Sequence, residues 1–435
     1  MSTPQTDTQT AAAPNTTTDT ARSYVVDRFM KYCEISSQSN PLTAENVPST
    51  KTQFEVARLV ADDLRSLGAH EVVLDDHCYL TAFWPASEGA EDLPTLGFCC
   101  HVDTAWQSWG NPTRPQIKRY EGGKLVIGSD PDGKEVYVSN KTNPQLKHMV
   151  GQDIVCSDGS SLLGGDDKAG VAMLIALLKR LKDNPSLPHP RLALAFVPDE
   201  EIGHGAALLD LEKFGADFGY TIDGGPLGEF CYETFNAAEV FVRAKGLSVH
   251  TGTAKGAMIN AAEAIMKFHQ MIPAQERPEY TEGYDGFYYL ERMSGECEKA
   301  AADYIIRDHD KALIEKRKQT MRDAAAFLNL QYGEEVLTVS DHDQYYNLAD
   351  VITKPEYAHL IENARKAYAS VGSEMKCIPM RGGTDGSQLS FRGFACANLS
   401  ACYYNGHGVR EFVPVSELEA MVDMLQYLVG LYAQP

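Results

Sequence analysis

From Ser23 onward the apolar positions follow two periods in turn, and their alternation predicts the elements. Phe54, Ala57, Val60, Ala61, Leu64 and Leu67 recur at the spacing of a helix with one buried face. The runs at 93–100, 192–197 and 220–222 are short and apolar, as strands covered on both faces are. Residues 170–181 read as a helix laid against them. This alternation predicts an α/β fold, a largely parallel-stranded sheet with flanking helices, whose functional loops lie at the carboxyl ends of the strands. Near Phe230 the pattern changes. Residues 238–242 alternate like a half-exposed strand, 259–272 form an amphipathic helix, and 304–328 read as a long charged helix capped by Asp308 or Asp310. A further strand is expected at 335–339. Buried-strand character returns at 395–401, and Ser416-Glu417-Leu418-Glu419 reads as a capping box opening a last helix that runs to Leu431. The expected organisation is a catalytic domain of residues 23–228 and 342–435, interrupted at 229–341 by a smaller α+β domain. Residues 1–22 are rich in Thr, Ala, Gln and Pro with no apolar stretch, and read as a disordered tail rather than a signal peptide.

Composition narrows the partners. At 435 residues and 43% apolar, the chain can fill more than one core. Lys and Arg number 39 against 60 Asp and Glu, a formal charge of −21, which repels phosphate backbones and anionic lipid. Neither nucleic acid nor a membrane is therefore an expected partner, and no apolar run approaches the roughly 20 residues a bilayer requires. The ten cysteines sit mostly inside apolar runs and include no Cys-x-x-Cys pair, which suits small buried hydrophobes in the cytoplasm.

The chemistry is concentrated in five separated stretches. They are His101-Val102-Asp103, Gly165-Asp166-Asp167-Lys168, Asp199-Glu200-Glu201, Ile222-Asp223-Gly224-Gly225 and Gly406-His407-Gly408. Each alone has an ordinary reading: a strand-end histidine, a glycine turn, a solvated acidic loop. Together they supply two histidines, three carboxylates and a spare glutamate, the inventory for two cations sharing one carboxylate with a base left over. Asp103 lies two residues from His101, on the same side of an extended segment, so it can accept one ring proton while the other nitrogen binds metal. Asp166, beside paired glycines, is the candidate bridge. Consecutive glutamates point in different directions, so one can coordinate metal while its neighbour reaches the metal-bound water; Glu201 is assigned as ligand and Glu200 as general base.

These stretches resemble the co-catalytic zinc peptidases that include carboxypeptidase G2, aminoacylase and dipeptidase V, and specifically their tripeptide aminopeptidase (peptidase T) branch. The branch is marked by Thr251-Gly252-Thr253-Ala254-Lys255-Gly256, Thr281-Glu282-Gly283-Tyr284-Asp285-Gly286-Phe287-Tyr288, Tyr304-Ile305-Ile306-Arg307-Asp308 and Arg381-Gly382-Gly383-Thr384-Asp385-Gly386. The resemblance runs from about Ser23 to the C-terminus. It implies two zinc ions bridged by Asp166, one also held by His101 and Asp223, the other by Glu201 and His407, with Asp103 orienting His101. Cobalt or manganese suits the same ligands. It further implies a cis peptide after Asp166 and a lid whose His250 reaches the scissile carbonyl. Arg381 would then hold a substrate carboxylate. The implied activity is hydrolysis of the first bond of tripeptides and other short peptides. A dipeptidase, aminoacylase or carboxypeptidase of the same family, a non-catalytic metal- or peptide-binding protein, and a homodimer all stay open. Two segments depart from the family: Ala105-Trp106-Gln107-Ser108-Trp109 is more aromatic, and Ala401-Cys402-Tyr403-Tyr404-Asn405-Gly406 is poorer in glycine.

Overall fold

The apolar runs assemble into one six-stranded sheet. Its heart is four parallel strands in the order Leu192–Val197, Leu96–His101, Phe218–Gly224 and Ala395–Ser400, with Leu80–Trp84 and His70–Leu74 added antiparallel at one edge. The computed structural model describes residues 23–107 and 113–434, so the expected tail at 1–22 lies outside the described residues. Leu96–His101, Leu192–Val197 and Ala395–Ser400 are buried at every position, because helices cover both faces. The helix Gln53–Leu67 forms on the predicted apolar face and ends at Gly68, whose φ of 102° only glycine adopts easily. The helix Gly165–Asp183 is buried almost throughout and packs between Tyr24–Cys33 and Val415–Leu431.

A second sheet, antiparallel, has the order Phe287–Gly295, Lys299–Asp308, Asn236–Lys245 and Leu337–Tyr345. Helices Ala261–Met271 and Lys311–Tyr332 cover one face and enclose a separate core around Val240, Phe268, Ile306 and Met321. Its last strand, Leu337–Tyr345, spans the boundary expected at 341. The chain is thus an α/β body carrying a smaller α+β body. Among the described residues no helix is long and apolar enough to cross a membrane.

Two local expectations are corrected. Residues 304–308 end the strand Lys299–Asp308 rather than begin a helix, because Ala300, Ala302, Tyr304, Ile306 and Asp308 alternate into the lid core. The helix starts at Lys311, and Asp310 caps it by accepting the N–H groups of Ala312 and Leu313. Ser416 forms no capping box: it lies inside the helix Val415–Leu431, and its hydroxyl donates to Gln152 Oε1.

Candidate active site

The parallel strands place their ligands at one edge. His101 is the last residue of its strand, Asp223 the penultimate residue of the next, and Asp199-Glu200-Glu201 follows Leu192–Val197 after one proline. The loop after Ala395–Ser400 carries His407. Asp166 stands in extended backbone (φ −80°, ψ 105°) before the regular turns of its helix, and the Asp166–Asp167 peptide is cis.

His101 organises the cluster. Its Nδ1–H donates to Asp103, 3.1 Å from the carbonyl and 3.2 Å from Oδ1. Its Nε2 faces two carboxylates, Asp166 Oδ1 at 2.9 Å and Asp223 Oδ1 at 3.5 Å. The other oxygen of Asp166 lies 3.2 Å from His407 Nε2, which is also 3.0 Å from Glu201 Oε2. The five expected ligands therefore meet, with Asp166 in the middle. Ligand atoms of His101, Asp166 and Glu201 lie within 4.8 Å of one another, as do those of His101, Asp167 and Asp223. Glu201 Oε1 is buried with no hydrogen-bond partner. Carboxylates so crowded and so dry need positive charge among them, and an oxygen- and imidazole-rich set of this size fits a pair of divalent cations.

The electrostatics carry the same signature. Burial pulls the His101 pKa down, but hydrogen bonds to Asp103, Asp166 and Asp223 outweigh it and hold it well above the usual value. Burial pushes Asp223 up to about 7, reinforced by Asp166. Burial and the Asp166 charge push Glu201 up to about 7. Hydrogen bonds that His407 donates to the Asp166 and Glu201 carboxylates raise its pKa to about 10. Burial and the Asp223 charge raise Glu200 well above the ordinary range. Glu200 and Glu201 line a cavity of about 290 Å³ together with His407, Tyr345, Thr384 and Gln388.

Several supporting contacts carry no short-range sequence signal. Asp103, besides binding His101, accepts the backbone N–H groups of Glu200 and Glu201 at 3.0 and 3.1 Å. Asp199 adopts a left-handed φ of 57° that aims the glutamates. Its carboxylate accepts Ser49 N–H (2.6 Å), Ser49 O–H (2.5 Å) and Gln53 Nε2–H (2.6 Å), which offset that strain. Asp167 accepts the backbone N–H of His101. Glu411 accepts the N–H groups of Leu163, Gly164 and Asp166, tying the His407 loop to the candidate bridge Asp166.

The two expected substrate contacts stand apart from this cluster. His250 is exposed and caps the short turn Thr251–Thr253, its Nδ1 accepting Gly252 N–H. The Arg381 guanidinium donates to Gly283 O, Asp285 O and Thr281 Oγ1 and lies 5.1 and 5.6 Å from the ring centres of Phe235 and Phe287. Of the aromatic loop at 105–109, Trp106 is 48% exposed, and Ser108 and Trp109 lie outside the described residues.

Comparison with known proteins identifies the family. The profile of peptidase family M20/M25/M40 matches residues 164–430. Peptidase T of Alkaliphilus oremlandii is 40% identical over 412 residues, 94% of this chain and 99% of that protein. Among solved structures, the aminopeptidase PepT of Bacillus cereus covers 94% of this chain and 98% of its own at a TM-score of 0.73 and 22% identity. A dinuclear metal binding peptidase of Bacillus subtilis covers 94% and 97% at a TM-score of 0.62 and 12% identity. The chain belongs to peptidase family M20/M25/M40, with curated peptidase T proteins among its full-length relatives.

Proposed function

We propose that this chain is a dinuclear metallo-aminopeptidase of the cytoplasm that removes the N-terminal residue of tripeptides and similar short peptides. The observation that carries the reading is the convergence of five ligand side chains around Asp166, with Glu200 beside them on the cavity wall. The near full-length likeness to peptidase T proteins supports the tripeptide assignment. In this reading His101 and Asp223 hold one ion, Glu201 and His407 the other, and Asp166 both, with zinc as the working cation. When bound, such cations polarise a peptide carbonyl and make water more acidic.

The protein's own groups do the rest. Asp103 takes the Nδ1 proton of His101 as a hydrogen bond, which leaves the Nε2 lone pair to face the metal. Glu200 accepts a proton from water as the water oxygen attacks the scissile carbonyl carbon. It returns that proton to the amine nitrogen as the C–N bond breaks, so one water is consumed and the base is regenerated. The dry surroundings that raise its pKa also make it a stronger base than a solvated carboxylate. His250, carried by the smaller body, would steady the oxyanion after that body closes. Arg381 is the candidate for a substrate carboxylate, and serving it requires giving up one of its present loop contacts.

The test is hydrolysis by metal-stripped protein after zinc is restored, with a free tripeptide, its dipeptide and its N-acetylated form side by side. Cleavage confined to the free tripeptide is expected. Preference for the dipeptide or the acetylated peptide would move the chain to another branch of the family, and zinc uptake without turnover of any would remove the catalytic reading.

A further inference from the structure

The loop that carries His407 is short and strained. Tyr404 and Phe412 close its base: the backbone N–H of each donates to the carbonyl of the other, and their rings stack 4.9 Å apart. Between them Asn405 and His407 both take left-handed φ values, 57° and 62°, which residues with side chains adopt rarely. On its inner side the loop is tied to the segment before Asp166 through Glu411. On its outer side it borders a cavity of about 390 Å³ lined by Val136, Asn143, Asn405, Gly408, Val409 and Arg410. Open space rather than packed side chains therefore stands behind this part of the loop. One pair of side chains crosses it. Asn143 Nδ2 donates to Asn405 Oδ1 at 2.6 Å, across 262 residues of sequence. The surrounding bonds orient both amides: Asn405 Nδ2 donates to Arg410 O at 3.1 Å, which turns its oxygen toward Asn143, and Asn143 Oδ1 accepts the Thr142 hydroxyl at 3.2 Å. Asn143 is anchored in turn, its backbone N–H donating to Ser139 O at 2.8 Å at the end of the strand Glu135–Ser139.

We propose that Asn143 and Asn405 are positioning residues for His407, a tether that holds its loop over the metal site from the outside. The proposal rests on the reading of His407 as a ligand of one of two cations. His407 is flanked by Gly406 and Gly408, so its backbone has little intrinsic stiffness, and its Nε2 must still arrive within reach of Asp166 and Glu201. A loop free to swing must be ordered when the ion binds, whereas a tethered one is set in advance. The Asn405 amide serves this twice, bracing the loop internally at Arg410 and externally at Asn143. Asn143 touches neither a cation nor substrate, so its effect passes entirely through His407. Removing a partner that orients a ligand typically lowers metal affinity by about 10- to 100-fold, and here the loss should fall on the His407 ion alone.

The test is zinc binding by the metal-stripped proteins, followed ion by ion in competition with a coloured chelator. His407→Ala is the reference and is expected to lose one ion. Asn143→Ala is expected to bind that same ion about 10-fold more weakly and the other as tightly as the wild type does. Asn405→Gly relieves the left-handed φ but removes both amide bonds, so it should lose at least as much. Adding Asn143→Ala to Asn405→Gly should then cost nothing further, because the shared bond is already gone. Wild-type affinity for both ions in Asn143→Ala overturns the proposal, and so does an equal loss of both, which marks a general structural role. Retention of both ions by His407→Ala would instead remove His407 from the ligand set, and the proposal would fall with that reading rather than on the tether.

Discussion

Asp103 shows how much of this site depends on one carboxylate. It receives the His101 ring proton and the N–H groups of both Glu200 and Glu201, so it fixes a ligand's tautomer and the aim of the two glutamates together. An amide in its place offers one acceptor oxygen and turns donors toward donors. Asp103→Asn should therefore lower zinc affinity by about 10- to 100-fold in chelator competition. Glu200 contributes differently, because it is left out of the ligand set. Glu200→Gln should keep the wild-type metal content by elemental analysis while kcat falls about 10²- to 10⁴-fold. The metal-free site is also protonated where cations must bind. Asp223 and Glu201, near 7, carry protons at pH 6 and have largely lost them at pH 8, while His407, near 10, keeps its proton at both. Cations displace these protons, so zinc should bind more tightly at pH 8 than at pH 6 and release acid into a weakly buffered solution. The five candidate ligands were legible in the sequence because each ends a recognisable run. Asp199 and Glu411 were not, because their partners come from elsewhere in the chain: Asp199 meets Ser49 across 150 residues and Glu411 meets Asp166 across 245.

At the level of elements, the parallel core was readable because its strands are buried on both faces and so apolar at every position. The smaller body was harder. Its strand Lys299–Asp308 carries charges on the face away from the helices, and with the following charged helix it reads as one long polar element. The boundary is set by Asp310, whose carboxylate takes two otherwise unpaired N–H groups at the start of Lys311–Tyr332. Asp310→Ala should lower the stability of this body by about 1 kcal/mol in chemical denaturation, with no change in zinc affinity. The opposite error arose at Ser416, where the right residue types sit three apart but the helix starts two residues too early for the serine to cap it. A sequence pattern states which bonds are available, and packing decides which are made.

At the scale of the whole molecule the open question is how the smaller body meets the substrate. Arg381 belongs to the segment leading into the helix Asp385–Phe391 of the catalytic body, yet its guanidinium holds the loop Thr281–Gly286 of the smaller one through two carbonyls and a hydroxyl, beside the Phe235 and Phe287 rings. A planar fork of donors suits three acceptors spread in this way, and a lysine ammonium does not. If Arg381 works chiefly as this clasp, Arg381→Lys should quicken hydrogen exchange across 281–286 and raise KM equally for a tripeptide and its C-terminal amide. If it works chiefly as the carboxylate receptor, exchange stays at the wild-type rate and the rise in KM is confined to the free acid. The existing contacts favour the clasp, since among the described residues every hydrogen-bond partner of the guanidinium belongs to that loop. In the proposed mechanism His250 then depends on the same clasp, because it is exposed and its ring bonds within its own turn, to Gly252 N–H. The clasp therefore predicts that Arg381→Lys and His250→Ala together lower kcat/KM by less than the product of their separate effects, since both act on one closed arrangement.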